Sequence, residues 1–244
     1  MSDEMKLKAI PWKSLTLKQK VFNIFYYYKW YMAAAVVLVF VLVVGFISLY
    51  DRNLQDAGVS IVGDFKLSTN AEKQMELDLI KYAGDFDGDG SINTNVRSQN
   101  LSESYRLNNP MQYDQELNIL NTFIRVGDTF IYVVSKDQLR NYIGDDFSYF
   151  VPLADIKGLN YSPKKTEWHS KYTIPLDETL LSDIIKKAMA ASGSSEDLLY
   201  EKTADGDKMK YFIIIRAQIM LKNTDKQTLL FNGSIDMLNK LLIQ

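Results

Sequence analysis

The feature that most constrains this chain is an uncharged, mostly apolar stretch of 21 residues, 30–50, between Lys29 and Asp51. An α-helix needs about 20 apolar residues to cross the hydrocarbon core of a bilayer. Tyrosine and tryptophan favour the headgroup boundary, and they flank this stretch as Tyr26, Tyr27, Tyr28, Trp30, Tyr31 and Tyr50. We therefore predict a transmembrane helix over residues 30–50. The alternative is a helix buried in a protein core.

The charge distribution predicts the orientation of this helix. Residues 1–29 contain six lysines against Asp3 and Glu4, a net charge of +4, whereas the rest of the chain carries −6. The positive-inside rule then places the N-terminus in the cytoplasm and the C-terminal part outside the cell membrane. The apolar run is longer than the core of a cleaved signal peptide, which has about 7–15 residues. We expect an uncleaved signal-anchor that crosses the membrane once.

Residues 1–29 are predicted to form an amphipathic cytoplasmic stub. Thr16 and Gln19 have the spacing of a capping box at a helix start. Apolar residues then recur on one helical stripe: Leu17, Val21, Ile24, Phe25 and Tyr28. Two interpretations remain: an amphipathic approach to anionic headgroups, or a helix that binds a protein partner inside the cell.

Residues 57–244 are predicted to form one extracytoplasmic domain. Strands are predicted at 58–62, 91–96 and 129–134, and helix-start signals lie at Thr69, Asn109, Pro175 and Thr224. A hairpin is predicted between 198–202 and 209–220, around Gly206. Alternation of strands and helices favours a layered α/β fold with a mixed sheet. A purely antiparallel α+β fold is the alternative.

The composition excludes several kinds of site and activity. The chain has no cysteine, which excludes disulfides, thiolate zinc sites and a cysteine nucleophile. Its formal charge of −2 does not favour nucleic acid as a partner. The single histidine, His169, has no acidic or histidine partner at helical spacing, so we expect a surface or loop residue rather than a metal ligand. Phosphate-binding, dinucleotide-binding, hydrolase and zinc-protease motifs are absent from the sequence, so we predict no enzymatic activity.

One motif carries chemistry, the acidic glycine loop at 85–93 (DFDGDGSIN). It matches the first nine places of a calcium-binding loop, with Gly90 allowing the sharp turn. The candidate ligands are Asp85, Asp87, Asp89, Ser91 and Asn93. The twelfth place, where a bidentate glutamate is expected, is Val96, so the missing oxygens must come from Asn95, another segment or water. The alternative is an Asp/Gly-rich turn without an ion.

Aromatic residues concentrate in the loop-rich middle of the domain. They are Tyr142, Phe147, Tyr149, Phe150, Tyr161, Trp168 and Tyr172. Such residues cap small cores, and they also line small-molecule pockets. Both interpretations remain open at this point.

Several segments resemble uncharacterised single-pass membrane proteins of Gram-positive bacteria. These segments are KQKVFNIFYYYKWYMAAAVVLVFVLVVGFI, DFDGDGSINTNV, NILNTFIRVGDTFIYVVSKDQLRNYI and FVPLADI. The outer domain of that family is similar to one lobe, or a reduced form, of type 2 extracellular solute-binding proteins. The resemblance implies a periplasmic-binding-protein-like α/β domain with bound calcium. The acidic residue usual at one strand start is replaced here by Phe130, with Asp128 two places earlier, so no ligand-contacting residue carries over.

Two functions follow as expectations. The first is a membrane-anchored, non-enzymatic outer domain that binds a partner protein or supports an envelope complex, with calcium as a structural clip. The alternative is a tethered solute-binding or sensory receptor with a ligand cleft. A calcium-dependent hydrolase is a third hypothesis, but the sequence offers no recognisable base and nucleophile pair for it.

Overall fold

The computed structural model describes residues 16–50, 55–142, 149–163, 169–204, 206–217 and 225–243. The chain divides into two compact units, Met1–Arg52 and Asn53–Gln244. In the first unit, helix α1 spans Leu17–Tyr50 and begins directly after Thr16, whose carbonyl accepts the Lys20 N–H at 2.9 Å. The predicted stub before Thr16 lies outside the described residues.

Helix α1 contains the predicted membrane span, residues 30–50. In the described part of the chain, no helix reaches the combined length and hydropathy of a membrane span. The side chains of residues 45–50 lie outside that description. The anchor therefore remains a prediction.

The second unit is a layered α/β domain with a mixed sheet, as predicted, and not a purely antiparallel fold. Its strands are β1 (Ala57–Gly63), β2 (Thr94–Asn100), β3 (Ile131–Ser135), β4 (Thr173–Pro175), β5 (Tyr200–Thr203), β6 (Gly206–Met209) and β7 (Tyr211–Ile215). Its helices are α2 (Thr69–Leu79), α3 (Glu103–Asn108), α4 (Pro110–Val126), α5 (Lys136–Leu139), α6 (Leu181–Ala191) and α7 (Asp225–Leu241). Short 3₁₀ turns lie at Leu153–Asp155, Leu176–Glu178 and Glu196–Leu199.

The main sheet has the strand order β2-β1-β3-β7-β4. β1 is parallel to β2 and β3, whereas β7 is antiparallel to both β3 and β4. Ala57 pairs with Thr94 and Val59 with Ile131. Residues that precede the three parallel strands therefore meet at one side, termed the amino edge, and residues that follow them meet at the opposite carboxyl edge.

The two faces of the sheet bury separate cores, because successive side chains of a strand point to opposite faces. Ile131 and Val133 pack with residues of α2, α6 and α7. Tyr132 and Val134 pack with Leu120 and other residues of α4. β3 is buried on both faces, which agrees with its continuous apolar sequence.

Some element bounds differ from the predictions. β2 was predicted at 91–96 but spans Thr94–Asn100, because residues 91–93 take part in the acidic loop. α3 was not predicted; Ser102 caps its first turn by accepting the Tyr105 N–H at 3.2 Å. The predicted hairpin is confirmed but is shorter, since β6 is the only described strand that pairs with β5, and β7 joins the main sheet.

Candidate functional site

Three carboxylates form an acidic cluster at the amino edge. Asp56, Asp85 and Asp87 each offer an oxygen, and these oxygens lie within 4.8 Å of one another. Asp56 directly precedes β1 and is 1% exposed, whereas the other two belong to the loop between α2 and β2. The cluster thus joins two segments that are distant in sequence.

Asp56 holds the acidic glycine loop against β1. Its Oδ1 accepts the Phe86 N–H at 2.7 Å, and its Oδ2 accepts the Asn93 N–H at 2.8 Å. Its own N–H donates to the Asn93 carbonyl at 2.8 Å. One buried carboxylate therefore clamps both ends of the loop. The predicted sources of the missing oxygens are Asn95, another segment or water, and the structure brings one carboxylate from another segment, Asp56, to this place.

Inside the loop, the predicted ligands separate into two groups. Asp85 accepts the N–H groups of Gly88 at 2.7 Å and Gly90 at 3.0 Å, and both glycines have positive φ angles. Asp89 instead accepts both the N–H and the hydroxyl of Ser91 at 2.7 Å. Asn93 donates its side-chain amide to the Ser91 hydroxyl at 3.1 Å. The three-carboxylate group therefore includes Asp85 and Asp87, while Asp89, Ser91 and Asn93 are hydrogen-bonded in a chain. Val96, at the twelfth place, is buried in β2.

The carboxylates of the cluster repel one another electrostatically. Burial raises the pKa of the Asp87 carboxyl, and the neighbouring carboxylates Asp56, Asp89 and Asp85 raise it further. The hydrogen bonds from Ser91 lower the pKa of Asp89. Carboxylate oxygens are the ligands that calcium and magnesium prefer, although calcium takes six to eight oxygens. The cluster has the chemistry of a hard-cation site that needs further oxygens from the loop or from water.

A hollow of about 250 Å³ lies beside the cluster. Asp56, Asp87 and Asp128 line it, and Phe86 and Leu230 contribute apolar walls. Among its described lining residues, none carries a positive charge. The hollow is therefore anionic, and it includes Asp128, the carboxylate that precedes β3.

A buried arginine supports the segment that carries Asp128. Helix α4 ends at Gly127, which has a left-handed conformation with φ of 80°. The guanidinium of Arg216 donates to the carbonyls of Ile124 and Arg125 at this helix end, and Arg216 is 1% exposed. Cations at a helix C-terminus are favoured by the helix dipole. Burial lowers the pKa of Arg216. Sequence analysis missed this residue, whose only signal is a charge directly after the apolar strand β7.

A larger groove of about 450 Å³ lies where β3 and β4 end. Its lining includes the ion pair between Lys136 Nζ and Glu201 at 2.7 Å. It also includes the Tyr161 hydroxyl, which donates to Glu178 at 2.9 Å, and the ring of Phe212. The groove therefore combines charges of both signs with aromatic walls.

The prediction that His169 is a surface or loop residue is confirmed for the loop and not for the surface. It lies in a turn, as expected, but it is buried rather than at the surface. Its Nδ1 lies 3.1 Å from the Thr173 hydroxyl, and its ring packs on Phe212 with centroids 4.7 Å apart. These two contacts account for the burial of the imidazole, which also lines the groove. Within the described ranges, it belongs to no group of three potential metal ligands.

The predicted aromatic group is divided by the structure. Tyr142, Phe150 and Tyr172 are buried in the core on the α4 side, and Phe150 makes edge contacts with Tyr132 and Tyr142 at 5.3 and 6.2 Å. Tyr161 instead lines the groove. Phe147 and Trp168 lie outside the described residues. Tyr149 is partly buried against the same core, so core packing accounts for four of the five described members and the groove for one.

Comparison with protein-family models, curated proteins and solved structures finds no match for this chain.

Proposed function

We propose that this chain is a membrane-anchored, extracytoplasmic, non-enzymatic domain that binds a partner protein or supports an envelope complex. The observation that carries the anchor is the apolar surface of α1. Nine consecutive residues, 36–44, are Val, Leu or Phe, and each is 46–69% exposed. A helix that is apolar all round is stable only where something apolar covers it. The aromatic flanks and the uncharged length of 30–50 favour lipid as the cover.

The orientation rests on charge. Residues 1–29 carry +4, so the positive-inside rule favours a cytoplasmic N-terminus. Residues 57–244 would then lie outside the cell membrane. The family resemblance to tethered proteins with a solute-binding-protein-like outer domain supports the same arrangement.

Because the chain has no cysteine, single cysteines test anchor and orientation directly. Lys202→Cys, at an exposed site of β5, should react with a membrane-impermeant maleimide in intact cells. Lys8→Cys should react only after lysis. The protein should stay in the membrane fraction after carbonate washing. Equal labelling of both sites in intact cells, or release by carbonate, would refute the anchor as proposed.

The partner-binding role is tested on the full chain extracted in mild detergent. Cross-linking in living cells before extraction should yield a discrete adduct whose partner mass is constant between preparations. A matched variant that keeps residues 1–56 and lacks the outer domain should lose the adduct if the domain provides the contact. Absence of any adduct that depends on the domain would count against this function.

We also propose that the acidic cluster holds calcium as a structural clip. The support is the three converging carboxylates and the raised pKa of Asp87, whose negative charge a cation would offset. Native mass spectrometry of the full chain should show one calcium adduct, weakened in Asp87→Asn and unchanged in Asp155→Asn, an exposed site elsewhere. Asp89→Asn distinguishes the calcium loop predicted from the sequence, which includes Asp89, from the observed three-carboxylate cluster, which does not. A loss as large as that of Asp87→Asn would favour the whole predicted loop over the observed cluster.

The second candidate is a tethered solute receptor, and the 450 Å³ groove favours it. Ligands of α/β sheets usually bind outside the carboxyl ends of the strands, and this groove lies where β3 and β4 end. A thermal-shift screen should find solutes that stabilise the full chain but not Tyr161→Ala. A shift of equal size in Tyr161→Ala would place the ligand elsewhere, and a screen without any shift would refute the receptor.

A further inference from the structure

The outer edge of β2 is covered by glutamate side chains. β2 is the first strand of the main sheet and pairs with β1 on one side only among the described strands. Edge strands present unpaired N–H and C=O groups that can pair with another chain. β2 is seven residues long and contains no proline and no lysine, which are common blocking residues at such edges. Its protection must therefore come from elsewhere.

The hydrogen bonds identify which residues of β2 face outward. The Leu101 N–H, just after the strand, donates to the Gly63 carbonyl of β1 at 2.8 Å. The backbone N–H and C=O groups of successive residues point to opposite sides of a strand, so those of residues 96, 98 and 100 point away from β1. Each of their N–H groups donates to a carboxylate: Val96 to Glu76 at 3.0 Å, Ser98 to Glu72 at 2.8 Å and Asn100 to Glu116 at 3.0 Å.

The distance between two glutamates of α2 matches the distance between their two partners on β2. Glu72 and Glu76 are one turn apart on α2, a rise of about 6 Å. Their partners, Ser98 and Val96, are two strand residues apart, a distance of about 6–7 Å. The lower-numbered glutamate binds the higher-numbered strand residue, so α2 runs antiparallel to the edge that it covers.

Glu116 covers the third position from the opposite layer. It belongs to α4, is buried, and accepts the Lys66 ammonium at 2.7 Å with its other oxygen. Ser98 adds a second bond, because its hydroxyl donates to Glu72 at 2.7 Å. Helices from both faces of the sheet therefore contribute acceptors to one row of backbone donors.

We propose that Glu72, Glu76 and Glu116 close this edge to strand addition, and that without them β2 pairs with β2 of a second copy of the chain. A second copy fits because β2 would meet the same free donors and acceptors across a two-fold axis. The only charged side chain of β2 is Arg97, which lies over the ring of Phe123, 3.7 Å from its centroid. Each uncovered strand would therefore bring a single charged side chain to the pair.

Amide hydrogen exchange on the full chain in detergent tests each contact separately. Glu76→Ala should speed exchange at Val96, and Glu72→Ala should speed it at Ser98, each by at least about tenfold, since a hydrogen bond to a charged group contributes about 1.5–3 kcal/mol. Glu76→Gln keeps an acceptor oxygen and should retain most of the protection. Unchanged exchange at Val96 in Glu76→Ala overturns the proposal, and this single variant does so even where a multiple variant fails to fold.

Light scattering on the same detergent-solubilised protein tests the pairing. The triple alanine variant at positions 72, 76 and 116 should double the protein mass of the particle relative to the wild type. The control removes three exposed glutamates elsewhere, Glu103, Glu196 and Glu201, with the same change of charge. A folded triple variant with the wild-type mass would refute the pairing, as would equal doubling in the control.

Discussion

The end of helix α4 offers a sharp test of the packing around the anionic hollow. Gly127 is left-handed with φ of 80°, and a Cβ added to it would lie 2.7 Å from Nη1 of Arg216. That guanidinium is itself held by the carbonyls of Ile124, Arg125 and Ala217. We therefore predict that Gly127→Ala destabilises the domain through two separable effects.

The first effect is backbone strain, and the second is displacement of the arginine. A left-handed conformation costs an L-residue about 1–2 kcal/mol. Moving Nη1 breaks or lengthens a hydrogen bond from a charged donor to a carbonyl, which costs about 1.5–3 kcal/mol. The free energy of unfolding should fall by about 2.5–5 kcal/mol in total. Gly193→Ala isolates the strain, because Gly193 has φ of 71° and nothing within 4 Å of its added Cβ.

Urea unfolding followed by circular dichroism measures both variants in the full chain. Gly193→Ala should lose only about 1–2 kcal/mol. The difference between the two glycines reports the contact with Arg216. Equal losses in the two variants would refute the reasoning, since they would mean that the buried guanidinium yields without cost.

Three further predictions concern titration and buried bonds. The Lys187 ammonium, 2.6 Å away, lowers the pKa of the Asp78 carboxyl. The ionised carboxylate therefore stabilises the fold above the unfolded pKa of about 3.9, and this stabilisation is lost as the pH falls through the lower folded pKa. Asp78→Asn should thus cost about 1 kcal/mol at pH 7 and little at pH 2, and equal urea-unfolding losses at both would contradict this. Burial raises the pKa of Asp87, so its ionisation lowers stability as the pH rises through the folded value. With EDTA at pH 7, Asp87→Asn should melt no lower than the wild type, and a lower melting temperature would contradict this. Tyr211→Phe removes the acceptor of the Asp64 N–H at 2.8 Å and should cost about 1–3 kcal/mol in urea unfolding, whereas an unchanged value would show that water replaces the hydroxyl.

The fold was predictable where local signals and burial agree. Asn109, Pro110 and Gly127 predicted the bounds of α4, and the helix spans Pro110–Val126 with Gly127 left-handed. β3 was visible as a continuous apolar run because both of its faces are buried. β2 was misplaced, since its sequence TNVRSQN is polar and alternates weakly. Its stability depends on β1 and on glutamates from two helices, and the local sequence pattern of β2 predicts neither contact.

The candidate site was predictable only in part, for a similar reason. Asp85 and Asp87 were found because they share one loop with glycines that allow its turns. Asp56 was not found, because only the pairing of Ala57 with Thr94 brings it to that loop. Likewise, the position of Arg216 depends on β7 pairing with β3, and that of Asp128 on β1 pairing with β3. Contacts that depend on how the strands pair cannot be predicted from the spacing of residues along the sequence.

In the acidic cluster, the hydrogen bonds that shape the loop are distinct from the proposed binding of calcium. At the amino edge of parallel strands, backbone N–H groups lack partners, and a carboxylate is a suitable acceptor for them. Asp56 fulfils that need by binding the N–H groups of Phe86 and Asn93, so the loop has its shape without an ion. Among the described residues, Asp87 accepts one hydrogen bond, from the Asp89 N–H at 3.1 Å, and its pKa is raised. Asp87 is therefore the carboxylate with most to gain from a cation, whereas loss of Asp56 would disturb the loop whether or not calcium binds.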